Sequence, residues 1–344
     1  MAMHRHQSSL EGLWHYDPEQ TVRKGYKPAA LIQATLQYVA SPDTFLTFFL
    51  SYIYEALFSN EQYAVDFYIN HTISYLDGFA SSDSERIQNL NEALEKFAEY
   101  IVDNFLLPLR ASSVKTPQPT PTLLSSLQSS TPTGTSQRIS VLRQSCLVRD
   151  RHRCVISSKF DRASTRKRFA ENGESYEDDD GKLLKDQSKV AHILPHCLTT
   201  VASGDTDLSD LKKNVLRILD MFDPGIGHLI NGLKIDSPLN ALTLTLDYHR
   251  IDLIEQRPFL RDPLFPVTRS LTLSPHRTID LLSARLLDVH RAIAHIINMS
   301  GAGEYIDKVL WDMEELDVRE DGLTRLGYLA GLRLNGWFTT LSVY

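Results

Sequence analysis

The sequence predicts an α+β protein, mostly helical, with two short strand-like stretches set inside a helical second half. Three observations carry that expectation. Apolar residues between Pro42 and Leu109 recur at three- and four-residue steps, the period of amphipathic helices. Residues 111–137 turn abruptly to Ser, Thr and Pro. Beyond them, the run around His192 and the alternation after Asn240 are the places where the pattern changes to that of strands.

Taken in order, residues up to about 30 are polar with scattered aromatics (Trp14, Tyr16, Tyr26) and no period. A first helix follows on Phe45, Phe48, Phe49, Tyr52, Ile53 and Ala56. A second rests on Tyr63, Phe67, Ile69, Ile73 and Leu76, closed by Asp77-Gly78, and a third runs from Ser84 to about Leu107. Their aromatic stripe is read as core, so the domain 1–110 is helical and shows no chemistry. The stretch 111–137 cannot bury enough apolar surface to offset chain entropy, and reads as a disordered linker.

A helix starts near Ser136 and leads into Arg149-Asp-Arg-His-Arg-Cys-Val-Ile-Ser, where Cys154 is expected to begin a strand. Between Arg143 and Arg168 stand nine Lys or Arg against Asp150 and Asp161. Such clustering suits phosphate contacts, and equally a solvated helix face answered by the acidic run Glu171 to Asp180. Residues 208–222 are helical by period until Asp223-Pro-Gly, and His228 to Ile235 reads as a short strand or turn. An extended segment is expected over 264–273, and helices over 281–299 and after the glycines at 301 and 303. The resulting division is 1–110, the linker 111–137, a module 138–260, and a helical extension 261–344 packed on that module.

Composition sets bounds on function. At 344 residues, 42% apolar and 23% charged, the chain has the make-up of a soluble globular protein. No apolar run approaches the ~20 residues of a membrane span, and the start of the chain has no secretory pattern. Three cysteines cannot form a disulfide framework and suit a reducing compartment. The expected location is intracellular, cytoplasm or nucleus. A net charge of −7 excludes a generally basic nucleic-acid binder, so such binding would need a local patch.

Val190-Ala-His-Ile-Leu-Pro-His places His192 near a strand end that Pro195 terminates. Ser237-Pro-Leu-Asn-Ala-Leu-Thr-Leu-Thr-Leu-Asp-Tyr-His supplies Asn240 and, nine positions on, His249. These blocks, together with Arg149–Ser157 and the downstream Val289-His-Arg-Ala-Ile-Ala-His-Ile and Ser300-Gly-Ala-Gly-Glu-Tyr-Ile-Asp, resemble the HNH endonuclease domain found in many fungal proteins. The resemblance spans roughly residues 136–316. It implies a strand–strand–helix (ββα-metal) HNH module, embedded in further helices, that hydrolyses phosphodiester bonds with a divalent metal ion, Mg²⁺ or Mn²⁺. Nucleic acid, and DNA in particular, is the implied partner, with no membrane involved.

In that reading His192 is the general base, Asn240 orients the loop that carries it, and His249 holds the ion. Asp252 shares the helical face of His249 and Asp247 is the nearest other carboxylate; both are candidate metal ligands. His196 joins them if its loop folds back. Arg149, Arg151, Arg153, Arg166, Lys167 and Arg168 are the candidate phosphate contacts. No paired Cys-x-x-Cys motifs are present, which excludes a structural zinc ribbon. Two departures from the family pattern, Ala191 where a metal ligand often stands and no Phe after His249, point to the alternative: a catalytically degenerate HNH-fold module that binds nucleic acid or protein.

Overall fold

The computed structural model describes residues 25–58, 65–77, 84–113, 135–173, 185–199, 207–246 and 278–314. Within them the chain is mostly helical, with a two-stranded antiparallel pair and a two-residue parallel pair. It divides into two compact units that do not follow chain order. One unit takes the described residues of 25–111, 207–227 and 288–314; the other takes those of 112–199, 228–246 and 278–287.

The first unit is helical. It begins with α1 (Pro28–Tyr38), a stretch to which the sequence assigns no element, and α2 (Pro42–Phe58). Pro at the first position suits both, because its fixed φ is helical and its missing N–H would find no partner there. The helices α3 (Val65–Asp77) and α4 (Ser84–Ile101) follow, the latter running through a π-helical turn, Val102–Leu106, into α5 (Leu107–Ser113). The aromatic stripe of α2 is core: Phe97 of α4 lies with its ring centroid 5.0 Å from Phe49, 5.2 Å from Tyr52 and 6.0 Å from Phe45.

Two later segments complete this unit. The helix α8 (Asp210–Phe222) buries Val215, Ile218, Leu219 and Phe222 on one stripe and ends where Asp223-Pro224 cannot continue it. Backbone bonds from Ala40 and Ser41 to the carbonyls of Phe222 and Met221, at 3.0 and 3.1 Å, fasten it to the α1–α2 turn. The helix α10 (Ala284–Ser300) passes into α11 (Ala302–Glu314) through Gly301 at φ +74°, a conformation that favours glycine. There the Lys27 N–H donates to Ser300 O at 3.0 Å, and Arg110 pairs with Asp307 at 3.0 Å.

The second unit is built on α6 (Thr135–Arg149) and the antiparallel strands β3 (Ser188–His192) and β4 (Ala241–Thr245). Leu142 and Cys146 of α6 pack on Val190 and Ala241. Between α6 and β3 come β1 (Phe160–Asp161), α7 (Arg162–Asn172) and β2 (Lys185–Asp186), with β1 and β2 paired parallel. Asp161 caps α7 by accepting from the Ser164 N–H at 2.9 Å. Cys154 does not begin a strand. Arg151, His152 and Ser158 all have positive φ, and the chain reverses in a tight turn closed by Cys154 N–H to Lys159 O at 2.9 Å. Of the short strand or turn expected from His228 to Ile235, the turn forms: α9 (Gly227–Ile230) is followed by 3₁₀ turns Gly232–Asp236 and Pro238–Asn240. The expected linker lies outside the described residues over 114–134, while its two ends are helical. The extended segment expected over 264–273 is also outside them.

Among the described residues no helix is long and apolar enough to cross a membrane.

Candidate functional site

The strand pair positions the candidate site. His192 is the last residue of β3 and faces Ala241, the first of β4, so the loops leaving β3 and entering β4 lie side by side. Pro195 stops the strand and the chain turns into a 3₁₀ segment, His196–Thr199. On the other side, the turn Gly232–Asp236 leads through Ser237-Pro238 into Asn240.

Asn240 joins these loops. It is fully buried, its Oδ1 accepts from the Leu194 N–H at 2.9 Å, and its Nδ2 donates to Leu194 O and Ile235 O at 2.9 and 3.0 Å. Its own carbonyl accepts from the Ile193 N–H at 2.8 Å. A side chain with two donors and an acceptor is what a loop with unpaired amide groups on both sides requires. Asn240 therefore shapes the backbone after His192 and is not bonded to the His192 ring.

The groups gathered there are His192, His196 and Asp236. Asp236 Oδ1 lies 3.2 Å from His192 Nε2 and 2.6 Å from His196 Nδ1, while its Oδ2 accepts from Arg138 Nε at 3.2 Å. All three side chains are buried, those of His192 and Asp236 at 2% exposure. Burial alone would push the Asp236 carboxyl up. The hydrogen bonds from His192 and His196 outweigh it and hold the group well below the usual carboxylate range. The other ring nitrogen of His192, Nδ1, is buried and has no hydrogen-bond partner. A carboxylate accepting at Nε2 fixes the ring proton there and leaves Nδ1 with a lone pair.

Of the residues expected at the site, His192 and Asn240 come together on adjacent loops. His249, Asp247 and Asp252 lie outside the described residues. His196, expected beside those residues, lies instead against Asp236, where the turn after Pro195 brings it. Asp236 and Arg138 were not expected. The available signal for Asp236 was its place four residues before Asn240, in a turn that Ser237-Pro238 ends.

The basic segment divides. Arg149 is not a surface cation: it is 2% exposed and bonds Asp150 through Nε at 2.7 Å and Nη2 at 2.9 Å. Its remaining donors reach the carbonyls of Pro238 and Ala241, on either side of Asn240. Asp150 in turn accepts from the Thr243 N–H at 3.0 Å, so the pair clamps α6 to β4. Arg151, Arg166 and Lys167 are exposed, and Lys167 lies 3.9 Å from Glu171. Arg153 and Arg168 sit over the Phe160 ring, at 5.6 and 5.3 Å from its centroid. Phe169 stands 61% exposed on the same helix, α7.

No family model matches this chain, and neither a curated protein nor a solved structure matches it.

Proposed function

We propose that this chain is a divalent-metal-dependent endonuclease of HNH type that hydrolyses phosphodiester bonds, with DNA as its substrate. The observation that carries the reading is the state of His192. Its Nε2 is tied to Asp236 at 3.2 Å while Nδ1 has no partner, on a loop end that Asn240 holds rigid. Such an imidazole is oriented and polarised, and its unpaired nitrogen, buried here, is the one that would take a proton from water once substrate uncovers it. Asp236 is the positioning residue, fixing the tautomer and favouring the imidazolium that forms when the proton arrives. Arg138 steadies the carboxylate from its far oxygen.

His249, with Asp252 or Asp247, would hold Mg²⁺ or Mn²⁺, which supplies polarisation of the scissile phosphate. Arg151, Arg166 and Lys167 offer exposed charge for the phosphate backbone, and the exposed ring of Phe169 beside them offers a face for a base to stack on.

One observation favours a second reading. The His192 side chain is 2% exposed, which suits a ring built into a closed polar network in a module that binds without cutting. A plasmid-cleavage assay in Mg²⁺ or Mn²⁺ separates the two. For the enzyme, His192→Ala should lower the rate by about 10²- to 10⁴-fold, the usual contribution of a general base, and Asp236→Asn should lower it too. Replacing Arg151, Arg166 and Lys167 by Ala should reduce the slope of log affinity against log salt by up to about 0.9 per lost contact. A wild-type chain that binds DNA and cuts none under any divalent ion supports the binding module. One that neither binds nor cuts DNA overturns the nuclease and leaves only a module that binds protein.

A further inference from the structure

We propose that His192, His196 and Asp236 form a binding site for a borderline-soft divalent cation of the zinc class, and that an ion there withdraws His192 from its role as base. The second half of this inference rests on the nuclease reading; the site itself does not.

The donor set is two imidazole nitrogens and one carboxylate oxygen, converging from the end of β3 and two separate turns. Zinc is commonly held by three such protein ligands with a fourth position left for water. Mg²⁺ prefers oxygen ligands in an octahedron, so this cluster would discriminate against it. One ring nitrogen from each of His192 and His196 and a carboxylate oxygen of Asp236 all lie within 4.8 Å of one another. Zinc bonds of about 2.0–2.2 Å at tetrahedral angles place ligand atoms roughly 3.4 Å apart. The Asp236–His192 separation of 3.2 Å already fits, and the 2.6 Å between Asp236 and His196 has to open by less than 1 Å.

The surroundings favour the same assignment. Arg138 occupies Oδ2 and leaves Oδ1 aimed at both rings, as an outer partner does when it orients a ligating carboxylate. His192 is fixed by the strand pair and by Asn240 behind its loop. The two turns bearing His196 and Asp236 are tied by Thr199 Oγ1 donating to Gly232 O at 3.2 Å. The donors are thus held before any ion arrives.

Occupancy would change the chemistry of His192 in a defined way. With the ion on Nε2, the single proton of the neutral ring moves from that nitrogen to Nδ1. Nδ1 then has no lone pair to accept a proton from water. Zinc and hydrolysis are therefore mutually exclusive at this residue.

The test uses the full chain, with Zn²⁺ and Co²⁺ titrated against a competing chelator and the visible spectrum of the Co²⁺ form recorded. The wild type should take up one ion at this site with the intense absorption of tetrahedral cobalt, undisturbed by millimolar Mg²⁺. His196→Gln should weaken that uptake at least tenfold and remove the band, with circular dichroism reporting its fold. Uptake and spectrum unchanged in folded His196→Gln would overturn the site. If the variant does not fold, the wild type decides: its melting temperature should rise with Zn²⁺, and no rise overturns the site. In the cleavage arm, Mg²⁺-dependent cutting should fall in proportion to Zn²⁺ bound, and full cutting at full occupancy would overturn the inhibition. A chain that binds Zn²⁺ and never cuts in Mg²⁺ alone sinks the nuclease reading and leaves the site standing.

Discussion

Asn240 makes three side-chain hydrogen bonds to buried backbone groups of Leu194 and Ile235. Removing it leaves those groups unpaired in the interior, at about 1–3 kcal/mol for each that finds no water. Asn240→Ala should therefore cost roughly 2–5 kcal/mol in denaturant unfolding, near the upper end of single substitutions. Asn240→Asp should cost at least as much as Ala, because it buries a carboxylate and sets an oxygen in place of the donor against the carbonyls of Leu194 and Ile235. A second residue shows itself through pH. Burial, then the charges of Arg168 and Lys167, push the His152 pKa below its ordinary value against the opposing pull of Asp161. The unfolded chain then binds a proton at His152 before the folded chain does. Stability should fall as pH drops below about 6.5, the unperturbed imidazole value, until the folded ring also protonates. Unfolding curves of wild type and His152→Gln between pH 8 and 5 check this, since the variant should show a shallower loss. What was legible in the sequence at this scale was local. His192 before a strand-ending Pro and Asn240 before an alternating run announce themselves; Asp236 does not. Its partners stand 40 and 44 positions away, and it is one of 43 acidic residues with no pattern of its own.

The α6–β4 clamp acts at the scale of whole elements. Arg149 lies in a run of cations, and charge density alone suggested a surface role. Its burial depends on Asp150 beside it and on carbonyls of Pro238 and Ala241 about ninety positions later, which no local window contains. Breaking a buried pair leaves a charge uncompensated, so Arg149→Ala or Asp150→Ala should each destabilise by about 3–5 kcal/mol. The double substitution should cost clearly less than the sum, and a double-mutant cycle measures the difference. A misplaced β4 also moves Asn240, so both variants should disturb the His192 loop. The long amphipathic helices α2, α4 and α8 were readable from their apolar stripes. The helix α1 was not: it is short, and its buried Leu31, Ile32 and Thr35 give too little periodicity to stand out.

At the scale of the molecule, the division of the chain into units departs from a left-to-right parsing. The sequence places 208–222 and the C-terminal helices with the module, because they follow it. Their apolar stripes are answered instead by the first helices, through Phe105 stacked on Phe222 at 5.2 Å and Tyr38 stacked on His295 at 4.8 Å. Helical period tells which face is buried, not against what. Limited proteolysis within 114–134 should therefore yield two fragments that co-elute on gel filtration, held by α8, α10 and α11 against α1–α5. Fragments that separate without denaturant would count against the shared core.

The bond between Lys27 and Ser300 closes a loop of 273 positions. At a synthesis rate of about 5–20 residues per second, the partner of Lys27 is made roughly 14–55 s after it. Through that interval the sticky sides of the first helices have no native cover from α10 or α11, whose strands of code are still being read. The yield of folded chain in a cell-free translation should therefore fall when translation of the last third of the message is slowed, and recover when a holding chaperone is added.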